Sequence, residues 1–138
     1  MRILVVLAIV ALPGAAHAQC SATEAEAVSC TLSNGGEMTL FWTEDQARLA
    51  YGTQAGPPAE VTVPLGDVTG LTASDWASST LRAGGASYEV YLAGGVGGMN
   101  VIADAGGSTA YTCDPGTTTG ALAALNAAAI HAISSREN

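Results

Sequence analysis

Glycine-rich turn signals recur along most of this chain at short, near-regular spacing, and they set its architecture. Asn34-Gly35-Gly36, Gly84-Gly85, the run Gly94-Gly95-Val96-Gly97-Gly98 and Gly106-Gly107 separate short runs in which apolar and polar residues alternate. A strand has a side-chain period of two, and Asn-Gly or Gly-Gly between two such runs marks a tight hairpin. Glu37 to Thr43 is the clearest early case: Met38, Leu40 and Trp42 share one face, and Thr39 and Phe41 share the other. Gln46 to Tyr51, Ala59 to Leu65, Trp76 to Arg82, Ser87 to Leu92, Met99 to Asp104 and Ser108 to Cys113 repeat the pattern, and Ser29 to Ser33 opens it. Ser21 to Ala27 reads as a polar arm or a single helical turn, and Gly66 to Asp75 as a loop.

Nearly all the connections are too short for a parallel crossover, so the strands are expected to be antiparallel. Eight short antiparallel strands manage their edges best by closing. The expected fold is therefore mainly β: a small antiparallel meander barrel of about eight strands followed by a C-terminal α-helix. Asp114-Pro115-Gly116 ends the sheet region, and Thr117 to Gly120 offers helix-capping residues. Ala121 to Ser134 is rich in alanine, the best helix former. Leu122, Leu125, Ala129 and Ile133, with Ile130 beside them, draw a narrow apolar stripe that suits packing against the sheet.

The first 18 residues read differently. Met1-Arg2 is a short positive region, Ile3 to Leu12 is an unbroken apolar run, Pro13-Gly14 breaks it, and Ala16-His17-Ala18 is a small-x-small site. This is the pattern of a secretory signal peptide cleaved near Ala18. Ten helical residues span only about 15 Å, half the hydrocarbon core, which argues against an anchor. Lipidation at Cys20 is disfavoured by the Gln19 before it. The expected organisation is thus a leader over 1–18, an arm over 19–28, the barrel over 29–116, and helix and tail over 117–138. The expected location is the periplasm or the medium, with no transmembrane span after cleavage.

Export makes disulfides admissible, and cysteines stand at 20, 30 and 113. Cys30 opens the first strand-like run and Cys113 closes the last, so a bridge between them would tie the two ends of the β region. Cys20 is an alternative partner for either. No Cys-x-x-Cys is present.

The chain has four basic residues, all arginine, against 12 carboxylates. Nucleic-acid binding, which needs cations to neutralise phosphates, is excluded on that balance. Catalytic chemistry is equally thin. After cleavage His131 is the sole histidine, and the acidic residues are scattered singly or, as at Glu44-Asp45, in a turn. No metal-ligand spacing is present, the Gly94 to Gly98 run lacks the helix and lysine of a phosphate loop, and no cofactor is implied. Trp42, Trp76, Tyr88 and Tyr91 fit strand packing better than a binding face. A non-catalytic protein is expected.

Ser29-Cys30-Thr31-Leu32, the Gly35-Gly36 turn, Met38-Thr39-Leu40-Phe41 and Tyr111-Thr112-Cys113, behind a signal peptide, together resemble the periplasmic and membrane-bound inhibitors of C-type lysozyme. The resemblance covers Cys30 to Cys113. It implies a small barrel with first and last strands joined by a Cys30–Cys113 disulfide, and a loop that enters the active site of a lysozyme. The string nearest the family's Ser-Gly-x-x-Tyr loop is Gly84-Gly85-Ala86-Ser87-Tyr88, which makes Gly84, Gly85, Ser87 and Tyr88 the candidate partner-binding residues. The stretch from Ser87 to Pro115 is also similar to small exported alphaproteobacterial proteins. A basic partner such as a lysozyme suits an acidic chain. A structural or small-ligand-binding envelope module is the alternative.

Overall fold

The computed structural model describes residues 24–53 and 56–136; the expected leader, its cleavage site and Cys20 lie outside them. Two antiparallel sheets account for most of these residues. The first joins β1 (Ala25–Thr31), β2 (Glu37–Trp42), β3 (Gln46–Tyr51) and β4 (Ala59–Pro64) in chain order. The second joins β5 (Thr69–Thr72), β6 (Trp76–Ala83), β7 (Ala86–Ala93), β8 (Val96–Ala103) and β9 (Ser108–Thr112), again in chain order. A short 3-10 turn, Leu65–Asp67, links the sheets, and α1 (Leu122–Arg136) follows the last strand.

The inner faces of both sheets share one core. Val28, Met38, Leu40, Leu49 and Val63 come from the first sheet, Leu81, Val90 and Met99 from the second, and Leu122, Leu125 and Ala129 from α1. Period-two alternation puts these residues on one side of each strand, as the sequence pattern required. The β2 strand departs from it, because Thr39 and Phe41 on its outer face are buried as well. Part of that cover is Arg48, whose guanidinium lies 4.7 Å from the Phe41 ring centroid. Glu24 holds the guanidinium through two hydrogen bonds of 2.9 and 3.1 Å, and Glu60 adds a third at 2.9 Å.

The sheets meet along one seam. Cys30 and Cys113 are disulfide-bonded across 83 residues of chain, with Cα atoms 5.7 Å apart. Beside the bond, Leu32 and Cys113 form an antiparallel bridge. Asp114 N donates to Thr31 O at 2.7 Å, and Ser33 N to Thr112 O at 2.8 Å. Ser29 and Thr119 exchange two further backbone bonds of 2.9 Å. The outer edge of β1 is therefore occupied by the 112–119 segment.

The opposite flank has no such ladder: β4 and β5 are the far edges of their sheets and do not pair. A closed barrel, expected from the strand count, is not found among the described residues. The physical reason is the connection. Pro64 removes a donor at the end of β4, and the 3-10 turn redirects the chain before β5 begins. The main contacts of α1 are with β5, the 3-10 turn, β6 and β1, so the helix stands at this open flank.

Several expectations change at the level of elements. Nine strands are present among the described residues rather than about eight, because β5 lies within the expected 66–75 loop. The first strand begins at Ala25, inside the expected arm; a register shift between Glu26 and Val28 lets both Ala27 and Val28 point inward and become fully buried. Thr117 and Thr119 do not cap the helix: Thr117 Oγ1 donates to Asp114 O at 2.7 Å, and Thr119 pairs with Ser29. The helix stripe is also shorter than expected, since Ile130 and Ile133 are exposed and Asn126 is buried in their stead.

Asn126 explains that exchange. Its Oδ1 accepts from Ser79 Oγ at 2.6 Å. Its Nδ2 donates to Leu71 O at 3.1 Å, Thr72 Oγ1 at 2.9 Å and Ser78 O at 3.1 Å. The two carbonyls can only accept, which fixes the amide orientation. Gly70 is required beneath it, because a Cβ there would collide with the Asn126 amide.

Two stability outcomes follow. Replacing Cys30 and Cys113 together by serine is expected to lower unfolding stability by about 4–5 kcal/mol from the loop-closure entropy alone, read from urea denaturation. Asn126→Asp keeps the shape but turns an acceptor toward Leu71 O and Ser78 O. It is expected to cost about 3 kcal/mol at neutral pH, measured the same way. A loss under 1 kcal/mol would show that the amide does not hold the helix.

Candidate functional site

The most developed concavity among those described lies where the C-terminal half of α1 crosses the β2–β3 turn. It encloses about 440 Å³ and is lined by Trp42, Glu44, Asp45, Leu65, Gly66, Ala128, His131, Ala132, Ser135 and Arg136. That volume falls within the usual range for ligand clefts, about 300–1,000 Å³.

Local chemistry builds each wall. The turn is organised by Thr43: its hydroxyl accepts from Asp45 N and Gln46 N, both at 3.3 Å, while Thr43 N donates to Gln46 O at 2.9 Å. A threonine that binds its own following amides fixes such a turn. Leu65 N then donates to Asp45 O at 2.9 Å, which docks the 3-10 turn on the β2–β3 turn. Arg136, at the end of α1, lies over Gly66 and reaches Asp67 at 3.6 Å. Ala128 and Ala132 are spaced one helical turn apart and give the helix wall a small apolar strip beside His131, Ser135 and Arg136.

The floor is Trp42. Its Nε1 is the one buried side-chain polar atom without a hydrogen-bond partner among the described residues. An indole N–H can only donate, and this one is left without an acceptor where solvent does not reach it. Glu44 and Asp45 are exposed, and neither is paired with a cation among the described residues. No group of three or more His, Cys, Asp or Glu suited to a metal ion occurs among the described residues.

The structure places the four candidate loop residues on two different surfaces. Gly84 and Gly85 form the tip of the β6–β7 hairpin, with φ of 60° and 79° and open space around them. Ser87 faces outward, where its hydroxyl accepts from Arg82 Nη1 at 3.0 Å, and Arg82 also pairs with Asp104 at 3.1 Å. Tyr88 follows Ser87 on the strand and so points the other way, packing on the core.

There Tyr51 meets both Tyr88 and Tyr111, with ring centroids 6.0 Å and 5.4 Å away. Burial, and secondarily the neighbouring Tyr88 phenol, pushes the Tyr51 hydroxyl up to about 12. Trp76, by contrast, is 42% exposed at the end of β6. The four aromatic residues of the sequence pattern therefore share no common binding face.

The cleft residues come from three separated stretches, around positions 42–45, 65–66 and 128–136. Trp42 and His131 are each visible in the sequence as isolated residues, but no motif connects them. Comparison with known proteins adds no relative: no family model, no curated protein and no solved structure matches this chain.

The Tyr51 environment has a measurable consequence. Its phenol is neutral and protonated in the fold to higher pH than in an unfolded chain, where it titrates near 10. Its contribution to stability is therefore full below about pH 10 and declines as pH rises toward about 12. In an alkaline absorbance titration one of the four tyrosines is expected to ionise last, and Tyr51→Phe should remove that late phase. Its persistence in the variant would assign the phase elsewhere.

Proposed function

We propose that the protein is exported and acts as a non-catalytic, acidic binding module for a basic protein of the cell envelope. The partner class is the C-type lysozyme-like hydrolase implied by the sequence resemblance. The observation that carries this reading is the state of the arginines. Among the described residues Arg48 is paired with Glu24 and Glu60, Arg82 with Asp104, and Arg136 with Asp67. These three arginines are thus neutralised within the chain, while the whole sequence carries a net charge of −8. The field presented to a partner is anionic, which steers basic proteins toward it and repels acidic ones.

The leader pattern before Gln19 and the Cys30–Cys113 bond both fit an oxidising compartment outside the cytoplasm. Among the described residues no helix is long and apolar enough to cross a membrane. The scarcity of catalytic groups, with His131 alone on a helix, favours binding over turnover. The exposed Gly84-Gly85 hairpin tip is the element of the resemblance that is sterically open to a partner.

The test is lysis of bacterial cell walls by a basic C-type lysozyme in the presence of the purified protein. Slowed lysis, relieved as salt rises past about 0.1 M where the screening length falls to roughly 10 Å, is the expected result. Unchanged lysis at a large molar excess of the protein in low salt would remove the hydrolase reading.

A further inference from the structure

We propose that the cleft between α1 and the β2–β3 turn receives an arginyl side chain of the basic partner. Glu44 and Asp45 hold the guanidinium, and Trp42 and Leu65 carry the aliphatic stem. The inference rests on the binding function proposed above and names the part of this chain that reads the partner's charge.

Charge complementarity is the first argument. Of the ionisable groups around the cleft, Arg136 is compensated by Asp67 at 3.6 Å, His131 stands on the helix wall, and Glu44 and Asp45 have no cation partner among the described residues. The unmatched charge at this opening is negative, so an anionic ligand group is disfavoured and a cationic one is favoured.

The lining narrows the cation further. Trp42, Leu65, Ala128 and Ala132 make a predominantly apolar interior behind the two carboxylates. A compact, strongly hydrated ion gains nothing from such a lining, whereas an alkyl stem ending in a charge matches both parts. Guanidinium is preferred to ammonium because it is more weakly hydrated, stacks on aromatic rings and binds a carboxylate through two parallel hydrogen bonds. A volume of about 440 Å³ suits one long side chain rather than a folded segment.

The two tryptophans make the test direct, because Trp42 lines the cleft and Trp76 does not. The 15N-labelled protein is titrated with N-acetyl-arginine amide, with N-acetyl-glutamate amide as the control, and both indole N–H resonances are followed. The expected result is a saturable shift of the Trp42 resonance with arginine only, and a static Trp76 resonance. Glu44→Gln with Asp45→Asn, both on an exposed turn, should weaken that binding by about tenfold and leave the rest of the spectrum in place. A Trp42 resonance that does not move, or equal affinity in the double variant, overturns the inference. The lysis assay separates this from the wider reading. Inhibition by the wild type without an arginine response rejects the cleft and retains the function, whereas an arginine response without inhibition retains the cleft and rejects the hydrolase.

Discussion

The seam between β1 and the 112–119 segment is the constraint on which the rest of the fold depends. Each sheet is a meander of neighbouring strands, so its contacts are local and form at little entropic cost. Joining the sheets is different, because it brings together residues 83 positions apart. The Cys30–Cys113 bond and the backbone hydrogen bonds of Ser29, Thr31 and Ser33 make that closure. With the seam in place, the inner faces of the two sheets bury each other in a single core.

With one flank held by the seam, the other depends on the helix. An alanine-rich helix buries little area per residue, and here only Leu122, Leu125, Asn126 and Ala129 are buried. Asn126 compensates by directionality: its amide reaches backbone and side chains of both β5 and β6, which places α1 in one position along the sheet edge. That position sets the candidate cleft, since His131, Ala132 and Arg136 face the β2–β3 turn only when the helix sits there. The structural pin and the proposed site are thus linked through a single helix.

Much of the fold was legible in the sequence because hairpins are local objects. Gly84-Gly85, Gly94-Gly95 and Gly106-Gly107 all adopt positive φ at strand connections, as their turn chemistry demands. The errors have equally physical origins. Ala25 to Val28 carries no large alternating residues, and its strand character comes from the bulge and from β2 beside it. Thr69 to Thr72 is a strand because β6 offers it an edge. Asn126 was invisible as a core residue, since a buried amide needs partners that the sequence does not place near it. The cleft was illegible for the same reason: its walls come from three stretches that share no motif.

By itself the sequence determined the β-rich hairpin layout, the C-terminal helix and the acidic balance, because these follow from short-range periodicity, turn chemistry and composition. The tertiary structure alone decided that the sheets stay open at β4 and β5, and that Trp42, Glu44, Asp45 and Arg136 line one cleft. These outcomes depend on which distant surfaces bury each other, and that is set by the packing of the assembled core rather than by any stretch of chain alone.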